Sequence, residues 1–226
     1  MKHRIFTGAG VAIATPMHSD GSIYWEELGR LIDWQIEQNT DAIIICGTTG
    51  ESATMSDQEH MDSIRFAVNH TAGRIPVIAG AGSNDTAYAI NMAQEAAACG
   101  ADGILVVTPY YNKCSQRGLA KHFEMIADAA NLPMILYNVP SRTGVNISVD
   151  TYKYLSEHPF IVATKEASGN ISHIADIKAA CGDSLDIYSG NDDQIVPILS
   201  LGGIGVISVL SNVMPKETHD ICQLFL

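Results

Sequence analysis

The chain has 226 residues, 46% hydrophobic and 17% charged, which suits one large domain and excludes a disordered chain. Acidic residues number 25 against 13 lysines and arginines, a formal charge of −12 without any cluster of cations, which argues against a nucleic-acid partner. Apolar runs such as Ala42 to Cys46 stop far short of the roughly 20 residues of a membrane span, and Met1-Lys2-His3-Arg4 leads to Thr7 and Gly8 rather than to an apolar leader, so a cytoplasmic chain is expected.

Short β-branched runs alternate with stretches of helical period along almost the whole chain. In order, the pattern predicts a strand over Gly10 to Thr15, a helix over Trp25 to Gln38, a strand over Ala42 to Cys46 and a helix over Ser56 to Thr71. A strand over Pro76 to Gly80, a helix over Thr86 to Cys99, a strand over Gly103 to Val107 and a helix over Leu119 to Ala130 follow. Next come a strand over Met134 to Tyr137, a helix over Val149 to Glu157, a strand over Ile161 to Lys165 and a helix over Ile171 to Cys181. The last strands cover Leu185 to Ser189 and Gly205 to Val209, with a helix over Gln194 to Leu201 between them. Ser56 and Glu59 stand in capping-box spacing, and Ser115, Ser148 and Asn170 occupy N-cap positions.

Eight strand-helix units with continuously apolar strands imply a parallel sheet covered on both faces, and a closed (β/α)8 TIM barrel is the economical arrangement. The alternative is an open doubly wound sheet, which usually carries a glycine-rich turn after its first strand, where this chain has Thr15-Pro16-Met17. One domain is expected over residues 1–226. After the eighth strand only Pro215 to Leu226 remain, so the last helix reads as cut short.

In such a barrel the chemistry sits at the carboxyl ends of the strands. Lys165, one of seven lysines, is the only one placed inside a strand, where a charged ammonium is costly unless it is paired or loses its proton. Two readings follow: a neutral amine free to attack a carbonyl and form a Schiff base, or a lysine paired with a carboxylate such as Glu166. Tyr137 ends the preceding strand, so its phenol is placed to exchange protons with a carbinolamine, or else serves as a rim aromatic. Thr48 and Thr49, between Gly47 and Gly50, offer hydroxyls and accessible amides for a carboxylate, or form an ordinary turn. Arg142 lies in the loop after Tyr137, suited to hold a carboxylate or to be solvated. The eight histidines lack metal-ligand spacing, and five cysteines without a CxxC pair argue against a disulfide framework, so no metal is expected.

Seven motifs, in order, carry a resemblance: Gly10-Val11-Ala12-Ile13-Ala14-Thr15-Pro16, Gly47-Thr48-Thr49-Gly50-Glu51-Ser52, Thr108-Pro109-Tyr110-Tyr111-Asn112, Tyr137-Asn138-Val139-Pro140-Ser141-Arg142-Thr143-Gly144, Lys165-Glu166-Ala167, Ser189-Gly190-Asn191-Asp192 and Gly205-Val206-Ile207-Ser208. With them the sequence resembles the dihydrodipicolinate (4-hydroxy-tetrahydrodipicolinate) synthases of the pyruvate-dependent class I aldolase superfamily. The resemblance implies a lyase of lysine biosynthesis through diaminopimelate that condenses pyruvate with L-aspartate 4-semialdehyde and needs no cofactor. It implies Lys165 as the Schiff-base amine, Tyr137 as proton donor and acceptor, and Thr48 as the link in a hydroxyl relay to Tyr111, which a neighbouring subunit would lend. It further implies Thr49 on the pyruvate carboxylate, Arg142 on the semialdehyde carboxylate, and carbonyls near Gly190 and Ile207 around the lysine. A homodimer or homotetramer is implied, although the family's C-terminal helical extension is missing. Sialic acid lyases and 2-keto-3-deoxy sugar acid aldolases share the lysine and tyrosine and are the alternative, as is a barrel that binds pyruvate without turnover. Asp57 and Tyr88 stand where lysine-sensitive members carry histidine and glutamate, which implies weak or absent feedback by lysine.

Overall fold

Eight parallel strands pair in chain order, and the last pairs with the first to close a barrel. The computed structural model describes residues 4–226; Met1-Lys2-His3, the start of the stretch read above for a leader, lies outside the described residues. The strands are β1 (Gly8–Ala12), β2 (Ala42–Ile45), β3 (Val77–Gly80), β4 (Gly103–Val107), β5 (Met134–Asn138), β6 (Ile161–Glu166), β7 (Asp186–Ser189) and β8 (Gly205–Ser208). The helices between and after them are α1 (Trp25–Glu37), α2 (Asp57–Thr71), α3 (Thr86–Ala98), α4 (Gln116–Ala130), α5 (Pro140–Thr143), α6 (Val149–Leu155), α7 (Ile171–Cys181), α8 (Ile195–Ser200) and α9 (Pro215–Phe225). The (β/α)8 barrel is therefore the fold, and none of the described helices is long and apolar enough to cross a membrane.

The helix starts follow from local chemistry. Ser56 Oγ accepts from Glu59 N–H while the Glu59 carboxylate accepts from Ser56 N–H at 2.8 Å, closing the capping box of α2. Ser115, Ser148 and Asn170 each cap their helices as the spacing suggests, and Asp85 caps α3 through Ala87 and Tyr88. Most expected elements shift at an end by one or two residues, and two ends shift by three. β1 ends at Ala12 rather than Thr15, because Ala14 N–H is taken by Asn212 Oδ1 at 2.9 Å and Pro16 has none to give. α4 starts at Gln116, three residues before the expected Leu119, since Gly118 and its polar neighbours interrupt the apolar period although they lie in the first turn.

Two apolar layers result from the strand alternation. Ile43, Ile45, Ile104, Val106, Met134 and Leu136 pack outward against the helices, while Ala42, Ile44, Leu105, Ile135 and Ile207 fill the barrel. Closure of the ring depends on close approach of β1 and β8. Gly8 pairs with Gly205, and a Cβ on Gly205 would lie 2.0 Å from the Gly8 carbonyl oxygen. Gly205→Ala is therefore expected to lower unfolding stability by about 3 kcal/mol, as overpacking against backbone does, measured by denaturant titration. Gly118→Ala on α4, whose methyl meets nothing nearer than 3.4 Å, is the neutral control in the same titration.

Candidate active site

A cavity of about 590 Å³ opens among the strand ends and the loops that follow them. Lys165 from β6 and Tyr137 from β5 are register partners and both line it, with Lys165 Nζ 4.5 Å from the centre of the Tyr137 ring. The lysine is only 5% exposed and the tyrosine 8%. Burial, by penalising the charged form, pushes the Lys165 amine down to about 8; Asp192 pulls it back up and Arg142 pushes it further down. Burial raises the Tyr137 phenol above its usual range, while Arg142 and a hydrogen bond with Thr48 act in the opposite direction. Of the two readings of Lys165, the pairing with Glu166 is the one that the structure removes: Glu166 faces the helices and binds Tyr152, Asn138 and Ser168.

Each of the other groups is held by its loop. Thr48 and Thr49 line the cavity in a turn closed by Gly50 N–H to Gly47 O at 3.1 Å and by Thr15 Oγ1 to Gly50 O at 2.7 Å. Arg142 sits on α5, the one-turn helix that sequence periodicity does not reveal, which starts at Pro140 and ends at Gly144 with φ 72°. Thr108 Oγ1 donates to Thr143 Oγ1 at 3.0 Å and ties this turn to the end of β4. Gly190 also lines the cavity, its N–H donating to Glu166 O at 2.7 Å.

Two expected site residues are not brought to this cavity. Ile207 is fully buried in the barrel interior and does not line it. Tyr111 stands 89% exposed on a backbone of φ 74°, pointing its bulk outside this chain's own cavity. Asp192, by contrast, is a site residue to which sequence reasoning assigned no role. It lines the cavity, and its carboxylate accepts from Ser208 Oγ and from the N–H groups of Val209 (3.2 Å) and Leu210 (2.9 Å) in the turn after β8. Its only signal in the sequence was its place after a strand. His60 also reaches the cavity wall, with Nε2 2.8 Å from Gly80 O. Tyr88, beyond the rim, donates its hydroxyl to the Asp57 carboxylate, which helps push that phenol up to about 12. Among the described residues, no three His, Cys, Asp or Glu side chains converge to hold a metal ion.

A (β/α)8 barrel that holds a buried, readily deprotonated amine against a phenol at the carboxyl ends of its strands is built for amine chemistry on a carbonyl compound. The sequence model of the dihydrodipicolinate synthetase family matches residues 5–226, and the chain belongs to that family. A relative from Caldicellulosiruptor saccharolyticus, named 4-hydroxy-tetrahydrodipicolinate synthase, is 59% identical over 98% of this chain and 75% of its own. The crystal structure of dihydrodipicolinate synthase from Aquifex aeolicus is 47% identical and superposes with a TM-score of 0.95, over 97% of this chain and 75% of that one. A dihydrodipicolinate synthase from Cyanidioschyzon merolae, solved with lysine bound, is 42% identical with a TM-score of 0.95, over 99% of this chain and 76% of that one. The chain thus spans about three quarters of the length of these relatives.

The electrostatics of the cavity can be read directly from the amine. Competitive labelling of Lys165 with an amine-selective acylating reagent, followed by peptide mass spectrometry, is expected to rise as pH climbs through about 8. Asp192→Asn removes the attraction that holds the proton and moves this midpoint lower; Arg142→Gln removes a repulsion and moves it higher.

Proposed function

We propose that this chain is a 4-hydroxy-tetrahydrodipicolinate synthase, condensing pyruvate with L-aspartate 4-semialdehyde through a Schiff base on Lys165 in the diaminopimelate route to lysine. The observation that carries the reading is the Lys165–Tyr137 pair: a buried amine lowered to about 8, 4.5 Å from the centre of a cavity-facing phenol ring, in a member of this family. The neutral amine adds to the ketone carbon of pyruvate. Tyr137, in contact with Thr48, passes a proton to the carbinolamine oxygen, and water leaves to give the iminium. The iminium withdraws charge from the methyl carbon, a proton is lost there, and the resulting enamine forms the carbon–carbon bond with the aldehyde. Attack of the substrate's own amine on the iminium carbon closes the ring and expels Lys165, so that one water is released overall. Thr49 takes the pyruvate carboxylate, Arg142 at the rim takes that of the semialdehyde, and Gly190, which lines the same cavity, lets its loop pass close against Glu166 and Ala167 just beyond the amine in the chain.

Borohydride reduction in the presence of pyruvate is expected to leave a stable adduct on the peptide containing Lys165 and none in Lys165→Ala. Addition of L-aspartate 4-semialdehyde is expected to give the cyclic product, with Tyr137→Phe slower by about 10²–10⁴, and millimolar lysine changing the rate little because Tyr88 already engages Asp57. An adduct formed without cyclic product would move the assignment to another pyruvate aldolase, of the sialic acid or sugar-acid type, or to pyruvate binding without turnover.

The same reading takes a second copy of the chain as partner, because Tyr111 is exposed and lies outside this chain's own cavity. The test is complementation: Tyr111→Phe and Lys165→Ala proteins, each impaired alone, are expected to regain activity on mixing, since one hybrid site then holds an intact Lys165 and an intact Tyr111. No regain in a mixture shown by sedimentation to exchange subunits would remove Tyr111 from the relay.

A further inference from the structure

The direction in which Lys165 points is decided by a fault in the strand ladder. Ile161 at the start of β6 packs in the outer layer against the helices, and strict alternation from there would turn Val162 inward, Ala163 outward and Lys165 outward. The β5–β6 register shifts instead: Met134 pairs with Ile161, but Ile135 pairs with Ala163, so Val162 is an extra residue, and Val162 and Ala163 both pack in the barrel interior. This bulge reverses the phase of everything that follows. Beyond it Tyr137 pairs with Lys165 and both line the cavity, while the next rung, Asn138 with Glu166, faces the helices.

That outer rung is a buried polar cluster that the chemistry does not touch. Asn138 Nδ2 donates to Glu166 Oε1 at 2.7 Å, the Tyr152 hydroxyl of α6 donates to the same oxygen, and Ser168 Oγ donates to Oε2 at 2.7 Å. Asn138 continues the network to Asn146 Oδ1 at 2.8 Å and accepts from Ile147 N–H at 3.2 Å. Asn138, Tyr152 and Glu166 are all fully buried. A one-residue slip of β6 would turn Glu166 away from three donors and bring Lys165 toward Tyr152, leaving buried polar groups unpaired on both faces.

We propose that Glu166, with Asn138 and Tyr152, is the positioning element of the amine site: it holds the shifted register at the rung behind Lys165 and Tyr137 and thereby aims both groups without touching substrate. The proposal rests on the reading of Lys165 as the Schiff-base nucleophile.

The experiment measures borohydride trapping of pyruvate on Lys165 as a function of pyruvate concentration, in variants shown to be folded by circular dichroism. Glu166→Met keeps the bulk and removes the acceptors. It is expected to slow the maximal trapping rate by about thirtyfold or more, since misplacement on the order of 1 Å has costs of that size, with half-saturating pyruvate changed less than about threefold. Glu166→Gln can still accept from Asn138 and Tyr152 through its carbonyl oxygen, and it is expected to restore the rate to within about threefold of the unaltered protein. Wild-type trapping in folded Glu166→Met, or a Glu166→Gln protein as slow as Glu166→Met, overturns the proposal. Where Glu166→Met does not fold, Tyr152→Phe decides: the loss of one donor is expected to slow maximal trapping about tenfold at unchanged half-saturation, and an unaltered rate overturns the proposal. Absence of any adduct in the unaltered protein would instead overturn the reading of Lys165 itself, so the two failures are told apart by that one sample.

Discussion

A lysine amine buried at the end of a barrel strand is the constraint on which the rest of this structure depends. Water no longer stabilises its charge, so the neutral form that can attack a carbonyl is populated at lower pH than for an exposed lysine. The surrounding charges are arranged around that fact rather than against it. Arg142 reinforces the effect of burial, and Asp192 moderates it, which keeps the amine near 8 instead of allowing desolvation alone to decide. A carboxylate closer to the amine would have made an ion pair and held it in its charged form.

The groups around Lys165 come from loops that differ in chain position but are tied to one another. Asp192 after β7 is bound to the turn after β8; Thr143 beside Arg142 is bound to Thr108 at the end of β4; Thr15 after β1 closes on Gly50 after β2. Such ties let the mouth of a barrel behave as a rigid frame although it is made of connections. The opposite requirement holds in the wall, where Gly8 and Gly205 allow the ring to close by contributing no side chain at all.

Much of the site was legible because its residues are chemically out of place. Lys165 stood out as a charge within an apolar strand, Tyr137 as a phenol on the neighbouring strand, and Arg142 as a cation in a loop at the same end. Asp192 and Glu166 were not legible in that way. An aspartate after a strand looks like any turn residue, and the role of Asp192 depends on facing an amine that is 27 positions distant in the chain but across the same cavity. Glu166 carries no period that distinguishes a buried acceptor of three hydrogen bonds from a solvated carboxylate. The short helix that presents Arg142 was invisible for a different reason: four residues are too few to show a helical repeat.

The sequence by itself determined eight alternating units and the placing of the candidate site residues at the carboxyl ends of strands, because apolar periodicity is a property of the chain alone; it favoured a closed barrel over an open sheet, and the pairing of β1 with β8 decided between them. Only the tertiary structure decided which way β6 faces. Every residue from Ile161 to Glu166 is buried, so neither side of that strand is marked as the inner one by polarity, and the count of two per repeat is broken by a bulge that appears only when β5 lies alongside. The direction of Lys165 is therefore a property of the pairing between two strands and of the polar rung behind it, not of the strand that carries it.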